Sequence, residues 1–233
     1  MASEDDVAIS SDPHDWAPMR PYRGRRSFDI TDPIVEPLWS GERVLVHFEI
    51  DSSEGAALKV AMVDDFEADL APGLPDIVEA IGRSVMAIDA VIDGVVSHQL
   101  GIDGTGAAAI PEVRGRAPGF LIRGNTELDV VARGTEPASD DLMGFIAFDL
   151  LRVDGTSLLD VPLLERARLL ESVVADNELV RRSIHVRPPI DTWIATWKAM
   201  GLRGGILKAA NSRYRPSDDT IEWTIVERLN RRH

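Results

Sequence analysis

The chain contains no cysteine among its 233 residues. Disulfides, thiolate metal ligands and a cysteine nucleophile are therefore excluded, and only histidine and carboxylate side chains remain as metal ligands. The five histidines show no spacing typical of a metal site. The sequence also has no apolar run of about 20 residues, and its first residues are acidic where a secretory signal would be basic and then apolar. We therefore expect no membrane partner and a cytoplasmic protein.

Positive charge is scarce, because 25 lysine and arginine residues stand against 39 aspartate and glutamate residues, a net charge of −14. Nonspecific binding to duplex DNA depends on lysine and arginine side chains that neutralise phosphates, so this balance opposes it. If DNA is a partner, we expect weak, salt-sensitive contact through the basic termini. The residues concerned are Arg20, Arg23, Arg25 and Arg26 near the start and Arg228, Arg231 and Arg232 near the end.

Composition divides the chain into a polar N-terminal arm, residues 1–31, and a folded domain, residues 32–233. In the arm, acidic residues give way to arginines around prolines and a glycine. We interpret it as a solvated, loosely packed lead-in, with a nucleic-acid-contacting arm as the alternative. The apolar fraction of the whole chain, 44%, is enough for a buried core in the domain.

The first half of the domain predicts a hairpin, a short helix and a further strand. Two β-rich runs, residues 43–50 and 56–63, flank a turn-like segment. A helix over residues 74–81 follows a proline–glycine breaker, and residues 85–92 form a strand candidate.

After Met143 the pattern is clearer. Residues 144–151 read as a buried strand, Asp154-Gly155 as a turn, and Pro162 as the first turn of a helix with one apolar face. A second helix carries Trp193 and Trp197 at helical spacing, which favours packing in the core over stacking on bases. A short strand at residues 206–208 follows. Helices alternating with strands and hairpin-like pairs indicate an α+β fold.

Two other clusters invite a functional interpretation. The glycine-rich residues 101–106 look like a phosphate loop, but no Gly-Lys-Ser/Thr follows, so a plain loop is favoured. The acidic residues Asp64, Asp65, Glu67 and Asp69 could bind a metal. Carboxylates so close together between apolar segments more often form a solvated connection, which is the interpretation that we prefer.

The segment Phe145-Ile-Ala-Phe-Asp-Leu-Leu151, followed by Pro162-Leu-Leu-Glu-Arg166, strongly resembles the adenylation domain of ATP-dependent DNA ligases. That family carries, in order, a Lys-x-Asp-Gly nucleophile motif, an Asp-Gly-Glu strand, this central segment, a Glu-Gly-Val-Val-x-Lys strand and a Trp-x-Lys-x-Lys ending. Arg203-Gly-Gly-Ile-Leu-Lys208 and Trp223 resemble the last two elements, at the expected spacing. The resemblance covers about residues 32–227. It implies a nucleotidyltransferase fold in which two subdomains of antiparallel sheet and helices surround a cleft.

The resemblance implies that only part of the family's nucleotide site is kept. Phe148 occupies the position whose aromatic ring stacks on adenine in the family, and Lys208 is the remaining polar nucleotide contact. Both residues could also have purely structural roles, in the core and at a strand end. We expect at most weak binding of ATP or AMP, and we do not expect Mg²⁺.

The family's nucleophilic lysine has no counterpart in the alignment that places the motif at Ser52-Ser-Glu-Gly55. There Ser52 replaces the lysine, Glu54 replaces the aspartate, and Ala57 replaces the arginine two positions beyond the glycine. A serine needs a base to activate it, and none is evident.

The remaining motifs have lost charged groups as well. The glutamate of the Asp-Gly-Glu motif becomes Val91 or Val95, depending on which aspartate is aligned. Arg203 replaces the next motif's glutamate, and Ile225 and Glu227 replace the last two lysines. The sequence therefore predicts neither a catalytic residue nor a metal ligand, and a clamp for Mg-ATP is not expected.

Three hypotheses follow. The first is a degenerate ligase-like domain that acts as a binding or regulatory module, either through weak nucleotide affinity or by docking on a DNA-repair protein. Alternatively, the chain is an active ATP-dependent DNA ligase whose nucleophile is misaligned, or a structural interaction protein without a nucleotide or DNA role. The family's catalytic core continues into an OB-fold domain, for which this sequence shows no counterpart after the last motif, so weak binding of nicked DNA is expected.

Overall fold

The computed structural model describes residues 16–22, 30–51, 57–64, 66–98, 143–187, 189–216 and 219–227. Three α-helices occur in these ranges: α1 (Pro75–Ser84), α2 (Leu163–Val173) and α3 (Ile190–Ala199). The strands found there are β1 (Arg20–Tyr22), β2 (Pro33–Pro37), β3 (Glu42–Asp51), β4 (Ala57–Asp64), β5 (Asp89–Ser97), β6 (Gly144–Val153), β7 (Thr156–Ser157), β8 (Val180–Arg182), β9 (Gly205–Ala209) and β10 (Asp219–Val226).

These strands form two sheets. The larger has the order β4-β3-β5-β6-β7, with β8 beside β6, and the smaller has the order β1-β10-β9-β2. Neighbouring strands are antiparallel except for the β6–β8 and β1–β10 pairs, which are parallel. Antiparallel-rich sheets with few helices confirm the α+β fold class.

The first sheet confirms the predicted hairpin and corrects the strand after α1. β3 and β4 pair antiparallel as expected. β5, however, begins at Asp89 and not at residue 85. The backbone N–H of Val85 still bonds to α1, and that of Met86 bonds to the carbonyl of Val173, so neither pairs with β3. The strand then runs on through Asp93, a position that reads as polar, because an arginine neutralises this carboxylate in the interior.

The elements after Met143 match the sequence pattern. Asp154 and Gly155 take positive φ values of 45° and 77° between β6 and β7, as a two-residue hairpin turn requires. Pro162 directly precedes α2, whose buried face packs on the larger sheet. In α3, Trp197 is 2% exposed within an apolar cluster, which confirms its predicted core role.

The expectation of a loosely packed N-terminal arm is wrong for residues 16–22. Trp16 and Met19 are buried in a core cluster with residues of both sheets. The backbone N–H of Met19 donates to the Tyr214 hydroxyl at 3.0 Å, and β1 adds an edge strand beside β10. Two large apolar side chains in a polar segment were sufficient to anchor it, because each buried side chain of this size contributes about 1.5–3 kcal/mol.

The acidic connection after β4 is structural in the part that the structure describes. The Asp64 carboxylate accepts the N–H groups of Phe66 and Ala68, and Asp69 accepts those of Met62 and Ala71. Within the described ranges no group of three or more histidine and carboxylate residues could hold a metal. No helix of those ranges is long and apolar enough to cross a membrane. The glycine-rich residues 101–106 lie outside the described residues.

We expect Met19→Ala to lower the free energy of unfolding by about 2–5 kcal/mol, because it opens a cavity at a fully buried position. The matched control is Met86→Ala, since Met86 is 63% exposed, and a change within about 0.5 kcal/mol is expected there. Urea unfolding of both variants measures the difference. Equal effects at the two positions would show that residues 16–22 do not pack in the core.

Candidate functional site

A cleft of about 650 Å³ opens between the two sheets. The larger sheet contributes β3, β5 and β6, the smaller sheet contributes β1, β2, β9 and β10, and the segment between β2 and β3 closes one side. Its lining consists of Arg20, Pro21, Tyr22, Glu36, Pro37, Leu38, Trp39, Gly41, Glu42, Arg43, Val95, Phe148, Ile206, Lys208, Trp223 and Ile225. This volume lies in the range of small-molecule sites, and the mixture of aromatic walls with a few charged groups is typical of them.

Lys208 lies at the floor of the cleft in a buried ion pair. Its Nζ donates to Glu36 Oε2 at 2.8 Å, and the two side chains are 1% and 6% exposed. Strand register explains the pair, because Lys208 on β9 is opposite Ile34 on β2 and reaches diagonally to Glu36. The same Nζ lies 4.2 Å from the centroid of the Trp223 ring and 4.9 Å from that of Phe148. Phe148 and Lys208 therefore line the same cleft.

Burial raises the pKa of the Glu36 carboxyl above its ordinary value, although the Lys208 ammonium opposes this shift. The charge of Asp149 adds to the rise in pKa. Desolvation disfavours the charged form of a carboxyl, and one lysine does not fully compensate for it here. The stability of the cleft floor therefore depends on Lys208 keeping its place.

A second ion pair supports the opposite wall. Arg43 donates to Asp93 through Nε at 3.0 Å and a terminal nitrogen at 2.6 Å, a bidentate contact, and its guanidinium lies 5.5 Å from the Phe148 centroid. The Tyr214 hydroxyl donates to Asp93 Oδ2 at 2.6 Å. Burial, followed by the charge of Asp93, holds the pKa of Tyr214 well above its ordinary value. Tyr214 is thus a neutral donor that fixes this carboxylate.

A third pair joins α2 to β6. Arg166 donates to both oxygens of Asp149 at 2.8 Å, and it also donates to the carbonyls of Val161 and Ser212. Both side chains of the pair are fully buried. Asp149 and Arg166 belong to the central segment on which the sequence resemblance depends. These two residues hold the fold together and do not line the cleft, whereas Phe148 of the same segment does.

Sequence reasoning missed the segment between β2 and β3. Leu38, Gly41 and Arg43 line the cleft, and Gly41 has a φ of +149°. A Cβ at Gly41 would lie 2.0 Å from the carbonyl oxygen of Val96, so only glycine fits. The signal that could have revealed this segment is a glycine followed two positions later by an arginine, directly before a β-rich run.

The structure also decides which valine lies where the resemblance expects a glutamate. Val95 lines the cleft, whereas Val91 is buried in the core. A Cβ at the intervening Gly94 would lie 2.3 Å from the ring of Phe145, which accounts for the glycine. Of the two valines, Val95 is therefore the one that faces the site.

The other residues that replace charged groups of the family's motifs do not all line the cleft. Ile225 lines it, while Arg203 is exposed and pairs with Glu227. Ser52 and Gly55, where the sequence alignment places the nucleophile motif, lie outside the described residues. That placement stays a prediction.

Comparison with protein families gives a match to the family described as "ATP dependent DNA ligase domain" over residues 131–224. Among curated proteins, a DNA ligase of Natronomonas pharaonis is 30% identical over 189 residues, covering 81% of this chain and 31% of the relative. DNA ligase 2 of Methanosarcina mazei is 28% identical over 199 residues, with the same coverage of both chains. The chain thus spans about a third of the length of these relatives.

Solved structures show the same architecture. The ligase domain of LigD from M. tuberculosis aligns with a TM-score of 0.59 at 21% identity, over 91% of this chain and 59% of that one. A mycobacterial DNA ligase D described as complexed with ATP aligns with a TM-score of 0.60 at 21% identity, over 91% of this chain and 60% of the other. These likenesses confirm the nucleotidyltransferase fold expected from the sequence.

We expect Lys208→Met to lower the free energy of unfolding by about 3–5 kcal/mol near neutral pH, because it leaves Glu36 buried without its counter-charge. The pKa of Glu36 should rise further. When the pKa of a carboxyl is higher in the folded than in the unfolded state, the group makes its full contribution to folding stability at pH values below its unfolded-state pKa. This contribution is lost as the pH rises through its folded-state pKa. The variant should therefore be less destabilised near pH 4 than near pH 7.

The control is the double variant Glu36→Gln with Lys208→Met, which removes the titrating group together with its partner. Urea unfolding at the two pH values should show that the pH-dependent part of the loss disappears in the double variant. A loss that is the same at both pH values in the single variant would contradict the interpretation of a buried carboxylate stabilised by Lys208.

Proposed function

We propose that this chain, which carries an adenylation domain of the ATP-dependent DNA ligase type, is a catalytically silent module that binds a nucleotide reversibly. The observation that carries this proposal is the position of the Leu38 side chain. An aliphatic side chain lies on the cleft at the point where the family's nucleophile motif fits the segment between β2 and β3.

The placement of the motif at Leu38-Trp-Ser-Gly41 rests on two matches. Gly41 supplies the glycine at a position where no other residue fits. Arg43 supplies the arginine two positions beyond it and lies over Phe148 in the cleft. The alternative placement at Ser52 lacks that arginine. In this alignment Leu38 replaces the lysine and Ser40 replaces the aspartate, so neither alignment provides the family's nucleophile.

Adenylyl transfer needs an amine with a free lone pair that attacks the α-phosphate. Leu38 offers none. Lys208 is the lysine that lines the cleft within the described residues, and its ammonium donates to the Glu36 carboxylate. A lysine whose Nζ is held in an ion pair with a buried carboxylate is not free to attack, so it is a poor nucleophile. Val95, Arg203 and Ile225 in place of charged partners add to the deficit.

The features that support nucleotide binding are aromatic and steric. Phe148 and Trp39 line a cleft whose volume suits a nucleoside. A relative of known structure is described as complexed with ATP, and we propose that this chain takes ATP or AMP weakly. Mg²⁺ is not part of the proposal, because Glu36 and Asp93 are already paired with cations and Glu42, the other carboxylate that lines the cleft in the described ranges, would supply a single ligand.

Contact with DNA, or with a DNA-repair protein, is a further part of the proposal. The relatives are DNA ligases. Of the basic terminal residues expected to contact DNA, Arg20 is described and Arg23, Arg25, Arg26, Arg228, Arg231 and Arg232 lie outside the described residues. Because Trp16 and Met19 belong to the core, deleting the N-terminal segment would disturb the fold, and such contact is better tested by substituting arginines singly.

We expect no covalent AMP adduct after incubation with ATP and Mg²⁺, because no competent amine lines the cleft among the described residues. Intact-mass measurement is the test, with an active ATP-dependent DNA ligase as positive control. An adduct on any lysine would replace this proposal with that of a working ligase.

Reversible binding is measured in parallel by isothermal titration with AMP. Phe148→Ala should weaken it by about 5- to 150-fold, which corresponds to the roughly 1–3 kcal/mol of base stacking on an aromatic ring. Phe66→Ala is the matched control, because Phe66 is 84% exposed and is not among the cleft-lining residues. Absence of any binding to the unsubstituted chain would remove the nucleotide from the proposal.

The motif placement predicts where an introduced amine meets the ligand. In Leu38→Lys, AMP should slow reductive methylation of the new amine several-fold, because the ligand covers position 38. In the matched variant Ser52→Lys, AMP should leave the labelling rate unchanged. Peptide mapping by mass spectrometry gives both rates, and protection at position 52 alone would restore the alternative alignment.

A further inference from the structure

Strand β1 brings a charged side chain, Arg20, to the wall of the cleft. Its backbone is fixed, because β1 pairs with β10 and the preceding residue, Met19, is fully buried and donates its N–H to Tyr214. Pro21 is compatible with this position, since β1 is an edge strand of its sheet. The guanidinium of Arg20 is thus an exposed group on a rigid support.

The other cations of the cleft wall are neutralised within the protein. In the described part of the chain the cleft is lined by Arg20, Arg43 and Lys208 as cationic residues. Arg43 is paired with Asp93, and Lys208 is paired with Glu36. Arg20 has no ion-pair partner in those ranges, so its charge is available to a ligand.

Arg20 offers the cleft a positive charge where the lysine of the family's last motif is missing. β10 carries Ile225 where the family motif has a lysine. In the strand register, Arg20 pairs with Asp219 at the start of β10, and both Arg20 and Ile225 line the same cleft. From this geometry we infer that Arg20 is the phosphate contact of the cleft, and that the ligand is a nucleoside monophosphate and not a triphosphate. The inference rests on the nucleotide binding proposed above and adds the residue and the ligand class.

A single guanidinium favours one phosphate. Its planar fork donates two parallel hydrogen bonds to one phosphate group. The β- and γ-phosphates of a triphosphate would meet no further unpaired cation among the described cleft residues. Glu42, an exposed acidic residue, also lines the cleft. Adding phosphates beyond the first should therefore not increase affinity.

The test is isothermal titration of the full chain with adenosine, AMP and ATP, comparing Arg20→Met and Arg20→Lys with the unsubstituted protein. The unsubstituted chain should bind AMP roughly tenfold more tightly than adenosine, as expected for one charge-assisted contact that is partly exposed, and ATP no more tightly than AMP. Arg20→Met should bind AMP and adenosine equally. Arg20→Lys should retain part of the preference for AMP over adenosine, since lysine keeps the positive charge but cannot donate the two parallel hydrogen bonds of a guanidinium.

The matched control is Arg83→Met, which removes the same charge from α1, where Arg83 pairs with Glu79 and Glu178 and does not line the cleft. It should keep the full preference for AMP. A preference that survives in Arg20→Met, or that falls equally in Arg83→Met, overturns the assignment while leaving nucleotide binding intact. ATP that binds more tightly than AMP overturns the ligand class. If neither adenosine nor AMP binds to the unsubstituted chain, the proposed function fails, and this inference fails with it.

Discussion

Two buried carboxylates lie directly opposite each other on neighbouring strands, Asp93 on β5 and Asp149 on β6, and the fold depends on their neutralisation. Like charges in this arrangement repel, and each would be costly in a dry interior without a partner. Arg43 and Arg166 each supply a bidentate partner. Tyr214, whose hydroxyl donates to Asp93, connects this row to the segment after β9 and to Met19. Removing either arginine leaves a buried carboxylate without its counter-charge. Because Tyr214 connects Asp93 to the segment after β9, the stability of the two sheets is coupled.

This constraint explains how the chain remains recognisable although charged residues of the family's motifs are replaced in the cleft. The resemblance is strongest in the central segment, where Asp149 and Arg166 form a buried ion pair and Arg166 also donates to backbone carbonyls. These roles are needed whatever the cleft does. Leu38 and Val95, in contrast, face the cleft and contribute no charge to the buried network. Fold and chemistry therefore depend on different residues, and one can be kept without the other.

Sequence reasoning predicted most elements after Met143, because apolar periodicity and turn residues there agree with the tertiary structure. It failed where burial contradicts residue type. Asp93, Arg166 and Lys208 look like surface residues in sequence and are fully buried in ion pairs that no local pattern reveals. In the N-terminal segment the isolated apolar residues Trp16 and Met19 gave no periodic signal. The cleft segment at Leu38 was missed because its glycine and arginine indicate a site only once tertiary structure brings them beside Phe148.

The same buried network limits what the cleft can bind. Each acid that supports the site is already matched by a base, so a ligand with several negative charges would have to compete with Asp93 and Glu36 for Arg43 and Lys208. Breaking such a pair exposes a buried carboxylate to the cost of an unpaired charge, which the new contact must exceed. A ligand that stacks on Phe148 and presents one phosphate to an unpaired cation avoids this competition. The internal electrostatics thus support the proposal of a small, singly phosphorylated ligand over a magnesium-bound triphosphate.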